Sequence, residues 1–103
     1  MIYIIATTTA HEGNHTALVA AFRTILATVR AKRGCLRYDL AAHVKSGFPG
    51  QASFDENDLV IVEAWADRES FEEHITDSAY RAWFVGVYPL IAKASMLVLE
   101  DVS

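Results

Sequence analysis

Three short segments of the chain are apolar at every position. They comprise residues 2–5, 59–62 and 96–99, and most of their side chains are β-branched or aliphatic. Such runs predict strands that are apolar on both faces. A fourth strand is predicted over residues 35–44, where apolar and polar positions alternate at first. We therefore expect strands over residues 2–8, 35–44, 59–66 and 94–100.

Helical spacing fills the interval between the first two strands. Apolar residues recur there in steps of four, three and four, at Leu18, Phe22, Ile25 and Val29. This stripe predicts one amphipathic helix. Asn14 is a candidate N-cap, and Gly34 is expected to end the helix in a left-handed conformation.

A second helical region is predicted after the third strand. Asp67 is its expected N-cap, and Phe71, His74 and Ile75 lie on one side of the helix. Residues 77–78 interrupt the pattern, which resumes with the second apolar set Tyr80, Trp83, Phe84 and Val87. Pro89 is expected to stop that run.

The resulting order is βαββαβ, and it predicts one α+β domain of ferredoxin-like topology over residues 1–103, with a four-stranded antiparallel sheet. Two helices cover only one face of such a sheet, yet three strands are apolar on both faces. We therefore expect a homodimer in which a second copy covers the open face. A monomer with an uncovered apolar face is the alternative.

Composition narrows the possible partners. The formal net charge is −4, which argues against nucleic-acid binding, and the basic cluster at residues 30–33 falls at a predicted helix end. No apolar run approaches the roughly 20 residues that span a bilayer, so no membrane partner is expected. The start of the chain does not resemble a signal peptide, and the single Cys35 fits a reducing compartment. We predict a cytoplasmic protein in which Cys35 is structural.

Residues 45–57 are rich in turn-forming side chains and predict a loop. This loop is unusually long for a connection within a small domain. It is a candidate lid or partner-contacting segment.

His74 is the candidate catalytic residue. Its position beside Phe71 and Ile75 predicts that the ring points toward the sheet. A histidine that titrates near neutral pH could accept the proton of a phenol or quinol. A half-buried structural histidine is the alternative.

Glu63 and Trp65 are expected on one face of the third strand, because they are two residues apart. Trp65 offers a flat wall and an indole N–H donor to an aromatic ligand. Glu63 needs a partner such as Arg37, or a solvent-filled cleft, because an unpaired buried carboxylate is costly. An interface ion pair with a core tryptophan is the alternative.

Further aromatic side chains are candidates for lining a cavity between helices and sheet, although packing alone also explains such stripes. The candidate substrate-binding residues are Tyr38, Glu63, Trp65, Phe71, Trp83 and Phe84.

The string His11-Glu12-Gly13-Asn14-His15 matches the zinc-protease pattern H-E-x-x-H. That pattern requires both histidines on one face of an established helix, whereas Gly13 and Asn14 favour a turn. We expect no metal site, and the lack of a phosphate-binding glycine loop leaves no nucleotide cofactor implied.

Two motifs resemble those of the antibiotic biosynthesis monooxygenase family. Residues 34–38, Gly-Cys-Leu-Arg-Tyr, resemble its G-C-x-x-Y motif. Residues 63–67, Glu-Ala-Trp-Ala-Asp, followed by Phe71 and His74, resemble its E-x-W-x-D and L-x-x-H motifs, and Ser78 matches a serine that often follows. The resemblance extends over essentially the whole chain.

This resemblance implies a dimeric α/β barrel with face-to-face sheets. It also implies cofactor-independent oxidation of polycyclic aromatics or quinols, or, in another branch, haem degradation. The haem-degrading branch uses an asparagine, a tryptophan and a histidine where this chain has Thr7, His74 and Phe84. Haem degradation is therefore not expected.

The leading hypothesis is a cofactor-independent monooxygenase acting on a small aromatic or quinol substrate. His74 would serve as a base or orienting group, with Trp65 and Tyr38 as ligand walls. A non-catalytic dimeric protein that binds a small apolar ligand is the second hypothesis, and a purely structural dimer is the third.

Overall fold

The fold was analysed in a computed structural model that describes residues 1–103. The strands are β1 (Ile2–Ala10), β2 (Cys35–Ala41), β3 (Asp58–Trp65) and β4 (Ile91–Glu100). The helices are α1 (His15–Arg23), α2 (Leu26–Arg30), α3 (Arg68–Thr76) and α4 (Ser78–Val87), and a 3₁₀ turn spans Tyr88–Leu90. None of these helices has the length and apolar character needed to cross a membrane.

The four strands form one antiparallel sheet in the order β2-β3-β1-β4. This order places the first and third strands at the centre, as in ferredoxin-like domains, and it confirms the predicted α+β fold. Glu63 lies at the middle of the sheet, opposite Ile4 on β1 and Tyr38 on β2. The register therefore puts these three side chains on the same face.

That face carries the helices and the core. Ile4, Leu18, Ile61 and Trp65 are at most 2% exposed and pack with Phe22 of α1. Alternation along β1 and β3 sends every second side chain into this layer. The core thus fixes which strand residues face the helices.

The first helical region is divided, contrary to the single helix predicted from the apolar stripe. The amide groups of Thr24 and Ile25 bond to carbonyls three residues earlier, and the Thr24 hydroxyl donates to the Ala21 carbonyl at 2.6 Å. These bonds interrupt the four-residue ladder between α1 and α2. Asn14 also differs from the prediction, since its side chain makes no capping hydrogen bond.

The predicted N-cap at Asp67 and the predicted interruption at residues 77–78 are both confirmed. The Asp67 carboxylate accepts a hydrogen bond from the Ser70 amide at 2.7 Å and caps α3. Asp77 follows α3, adopts an extended backbone and caps α4 through the Ala79 and Tyr80 amides. One aspartate therefore ends the first of these helices and caps the second.

The strand ends differ from the predicted ones by up to three residues. β1 continues to Ala10, β2 already ends at Ala41, and β4 begins at Ile91 directly after the 3₁₀ turn. Residues 42–57 contain no helix or strand, which confirms the predicted loop.

The sheet face opposite the helices is open and partly apolar. Tyr3 lies beside Leu99 there, and Ile5 lies beside Leu97. Leu97 is 60% exposed and Leu99 is 47% exposed. Beyond Ile91, every residue of β4 is exposed, including Met96 and Val98 on the helical face. The helical layer does not extend far enough to cover this edge strand.

Candidate active site

A cavity of about 460 Å³ lies between the sheet and helices α3 and α4. The central strands form its floor, and β4 closes one side with Ala94, Ser95 and Met96. Most lining residues are apolar, and the complete lining adds Ala6, Thr8, Phe22, Tyr38, Ile61, Glu63, Phe71, His74, Ile75, Tyr80 and Phe84. A volume of this size suits a small ligand of one to three rings.

Glu63 brings a carboxyl group to this apolar cavity. The Trp65 indole nitrogen Nε1 donates to Glu63 Oε1 at 3.0 Å, as their shared strand face allows. Burial raises the pKa of Glu63 to about 7, and the Trp65 hydrogen bond opposes that rise. Arg37 is not its partner, because Arg37 lies on the opposite face and pairs with Asp39 at 3.0 Å. The carboxyl group thus changes charge close to neutral pH.

His74 points toward the sheet, as its helix position predicted. Its ring stacks on Trp65 with centroids 4.9 Å apart and lies 4.2 Å from the Tyr80 ring. Lys32 Nζ lies 2.9 Å from His74 Nδ1. Burial, followed by the positive charge of Lys32, lowers the pKa of His74 to about 4. The imidazole is therefore neutral at pH 7 and is a weak proton acceptor.

Two tyrosines complete the polar part of the cavity. Tyr38, from β2, is 1% exposed, and Tyr80, from α4, is half-buried. Burial, followed by the Glu63 charge, raises the pKa of Tyr80 to about 12. Burial likewise raises the pKa of Tyr38. Both phenols stay protonated at neutral pH, and their hydroxyl groups lie close enough to interact with each other.

The aromatic residues that were predicted to line a cavity fall into two groups. Phe71 and Phe84 line the cavity together with Tyr38. Trp65 and Trp83 do not line it. Trp65 is fully buried behind Glu63 and His74, and Trp83 packs edge-on against Phe22 at 5.0 Å. Trp65 therefore holds two site residues in place instead of offering its own face to a ligand.

Lys32 and Tyr80 were not singled out by the sequence as site residues. Lys32 lies in a basic cluster that follows a helix, and 42 residues separate it from His74 along the chain. No local pattern connects such distant positions. Tyr80 occupied the expected apolar stripe of α4, but its hydroxyl had no partner that the sequence could identify.

The H-E-x-x-H string does not lie on a helix face. Residues 11–14 form a turn, and His15 is the first residue of α1. His15 Nε2 lies 3.0 Å from the Asp58 carbonyl oxygen. No three histidine, cysteine, aspartate or glutamate side chains are grouped so that they could hold a metal ion.

A larger cavity of about 820 Å³ lies on the open side of the sheet, under residues 53–56. Its lining is mostly polar, with Thr7, Thr9, Asp58 and Lys93 as members. Asp58 is already engaged by the Thr9 hydroxyl at 2.6 Å and by His43 Nε2 at 3.2 Å. The smaller apolar cavity is therefore the better candidate for an aromatic ligand.

Comparison with known protein families gives a match over residues 1–85, to the model described as Antibiotic biosynthesis monooxygenase. The chain belongs to this family. The matched region contains Tyr38, Glu63, His74 and Tyr80, so the polar part of the cavity lies within the family domain. No curated protein matches the chain in sequence.

Solved structures of similar fold extend the comparison beyond residue 85. PA3566 from Pseudomonas aeruginosa is 26% identical, with a TM-score of 0.80 over 99% of this chain and 94% of that one. Rv0793 from Mycobacterium tuberculosis is 24% identical, with a TM-score of 0.79 over 99% and 95%. SnoaB, a cofactor-independent oxygenase from Streptomyces nogalater solved as a point mutant, is 14% identical, with a TM-score of 0.78 over 99% and 93%. The last two likenesses concern the fold alone.

Proposed function

We propose that this family member is a cofactor-independent monooxygenase that oxidises a small aromatic or quinol substrate in the cavity beneath α3 and α4. The observation that carries the proposal is the carboxyl group of Glu63, which has a pKa near 7 and lies in an otherwise apolar cavity. Membership of the monooxygenase family and the fold shared with SnoaB support this reaction class.

The chemistry begins with proton transfer. Ionised Glu63 accepts the hydroxyl proton of a bound phenol or quinol, because a base with a pKa near the working pH transfers protons efficiently. The resulting anion is electron-rich enough to reduce O₂. One oxygen atom enters the product and the other leaves as water, and the substrate supplies the electrons.

The other polar residues orient the anion. Neutral His74 and the protonated hydroxyl groups of Tyr38 and Tyr80 surround the same cavity. Such groups stabilise an oxyanion most strongly where water is scarce. His74 therefore acts as an orienting residue in this proposal, and Glu63 takes the role of base.

Oxygen uptake tests the proposal. Purified protein is mixed with a panel of quinols and anthrone-like aromatics, and O₂ consumption is compared with the autoxidation background. We expect uptake above background, and loss of a general base in Glu63→Gln should lower it by about 100-fold or more. His74→Ala should lower it as well, whereas Glu56→Gln, in the exposed loop, should leave it unchanged.

A non-catalytic binding protein is the second candidate. The apolar lining favours it, because ten of the fourteen lining residues are hydrophobic and would hold an apolar ligand without chemistry. A folded protein that binds members of the panel but consumes no oxygen with any of them would establish this function and overturn the oxygenase.

A further inference from the structure

Lys32 is a charged residue that has no role in the proposed reaction. It follows α2, and its side chain is 20% exposed. Its Nζ lies 2.9 Å from His74 Nδ1, 3.1 Å from Asp77 Oδ2 and 5.2 Å from the centroid of the Tyr80 ring. Three neighbours thus fix the position of one ammonium group.

The contact with His74 has a defined direction. An ammonium group has three donors and no acceptor, so Nδ1 of the imidazole must accept the hydrogen bond. A neutral imidazole whose Nδ1 accepts carries its hydrogen on Nε2. Asp77 Oδ2 accepts a second hydrogen bond from the same ammonium group at 3.1 Å, which agrees with Lys32 acting as the donor.

The ring of His74 is also held against rotation. It stacks on Trp65 at an interplanar angle of 18° and contacts Tyr80 on another side. No protein group bonds to Nε2, and every fully buried polar side-chain atom of the chain has a partner, so Nε2 is not fully enclosed. His74 lines the cavity, and because Lys32 occupies Nδ1, Nε2–H is the ring group left for a ligand there.

The charged and titratable groups around His74 come from four elements. Lys32 follows α2, Asp77 precedes α4 as its N-cap, and Tyr80 lies in the first turn of α4. Tyr38 comes from β2 and Glu63 from β3. Lys32 opposes a positive charge on the imidazole, and Asp77 favours one. Burial, followed by the charge of Lys32, lowers the pKa of His74 by more than Asp77 raises it, so the imidazole stays neutral.

We propose that Lys32 is a positioning residue that holds His74 as its Nε2–H tautomer, so that the cavity donates a hydrogen bond to a carbonyl or oxyanion oxygen of an aromatic substrate. The substrate part rests on the proposed function. The proposed site pairs a hydrogen-bond donor, His74, with a proton acceptor, Glu63. The matching substrate class is an aromatic with one ionisable hydroxyl and a second, acceptor oxygen, such as a hydroxyaryl ketone or a quinol.

Nitrogen NMR of histidine-labelled protein tests the tautomer without any substrate. A His74→Gln spectrum identifies the signals of His74 among those of the four histidines. We expect the Nε2–H pattern with no titration between pH 8 and about 5.5, since the pKa of His74 is about 4. An Nδ1–H pattern, or titration near pH 6.5, would overturn the proposal.

Substitution of the lysine separates positioning from folding. In Lys32→Met, which keeps most of the apolar stem, we expect mixed tautomers and a higher pKa of His74. Lys32→Arg keeps a donor-only side chain and should retain the Nε2–H tautomer. Lys45→Met, in the exposed loop, is the matched control. An unchanged His74 spectrum in folded Lys32→Met would contradict the role of Lys32.

Ligand binding tests the substrate class. 1-Tetralone and tetralin share a bicyclic skeleton, and only the first has an acceptor oxygen. Calorimetry should show that the wild-type protein prefers the ketone, and loss of the fixed donor in Lys32→Met should reduce that preference by about threefold to tenfold. If the wild type and Lys32→Met prefer 1-tetralone over tetralin to the same degree, the assignment of His74 as the donor is overturned.

These outcomes are separable from the oxygenase test. The Nε2–H tautomer and a Lys32-dependent ketone preference without oxygen uptake would support the inference and contradict the proposed activity. Oxygen uptake with the opposite tautomer would support the activity and overturn the inference.

Discussion

Glu63 combines deep burial with a single protein donor, the indole of Trp65. Its pKa rises from an ordinary value of 4.5 to about 7, because the ionised form loses hydration that one hydrogen bond does not replace. The folded state therefore binds a proton more tightly than the unfolded state does. This difference links the site to the stability of the whole chain.

The first prediction concerns the pH dependence of stability. Between pH 4.5 and about 7 the folded state binds more protons at Glu63, so this residue's contribution to the free energy of unfolding falls as pH rises, by about 3 kcal/mol in total. Glu63→Gln should lack this fall and gain stability relative to wild type above pH 7. Urea denaturation at pH 5 and pH 8 measures the difference.

His74 changes the free energy of unfolding with pH in the opposite direction to Glu63. The effect of Glu63 is therefore measured as the difference between the wild type and Glu63→Gln. The lowered pKa of His74 makes its contribution to stability increase as pH rises from about 4 toward 6.5. That contribution is common to the wild type and the variant and cancels in their difference. Parallel stability profiles for the two proteins would contradict the raised pKa of Glu63.

The second prediction concerns the pH dependence of activity. If ionised Glu63 is the base, kcat/KM should rise with pH and level off above about 7, because this parameter reports ionisation of the free enzyme. His74 is neutral over that range and should add no second step. A kcat/KM that falls as the pH rises through 7 would show that another group is the base.

The turn between α2 and β2 brings Gly34 close to helix α3. Gly34 has a φ of +76°, which glycine adopts without strain, and a Cβ atom at this position would overlap Ser70 Oγ. The Gly34 carbonyl accepts a hydrogen bond from the Ala66 amide at 2.8 Å. This junction ties the start of β2 to the end of β3, directly before the helix that carries His74.

The third prediction uses two glycines with similar backbones. Gly13 has a φ of +85° and open space around it, so Gly13→Ala should cost about 1 kcal/mol from backbone strain alone. Gly34→Ala adds the contact with Ser70 and should cost at least about 2 kcal/mol more. Thermal or urea unfolding measures both variants. Equal losses would show that Ser70 moves away without cost.

Much of the element structure follows from local sequence. The apolar runs located β1, β3 and β4, and Asp67 and Asp77 marked the helix boundaries. The break at Thr24 was missed, because a continuous apolar stripe does not reveal a hydroxyl group that bonds a carbonyl three residues back.

The candidate site was predictable only in part. Strand alternation predicted that Glu63 and Trp65 share a face, and helix spacing predicted that His74 points toward the sheet. Neither periodicity shows which of two residues on a face is nearer the cavity, so Trp65 was expected in the wall and lies behind it. Lys32 was missed because it meets His74 only through the tertiary fold.

The open sheet face determines how the molecule is expected to assemble. Tyr3, Leu97 and Leu99 expose apolar surface on this face, and both leucines belong to β4, an edge strand of ten residues. Contiguous apolar surface of this kind marks interaction sites, and long apolar edge strands otherwise promote aggregation. We propose that a second copy of the chain covers this face in a homodimer.

The fourth prediction tests that dimer. Leu97→Asp places a charge on the open face of the edge strand β4 and should shift the protein from dimer to monomer, because an unpaired carboxylate is costly to bury. Val85→Asp, at an exposed position of α4, is the control and should leave the mass unchanged. Light scattering coupled to size-exclusion chromatography gives both masses. A wild-type protein that is monomeric at all concentrations would contradict the proposed dimer.

The pairing of β1 with β4 also has a consequence for biosynthesis. Ile2 lies opposite Glu100. One side of the central strand β1 can therefore form its hydrogen bonds only after the ribosome has added the residues of β4. Contacts of such long sequence separation slow folding, because a large loop must close before they form. Until β4 emerges, the nascent protein exposes the unpaired edge of β1.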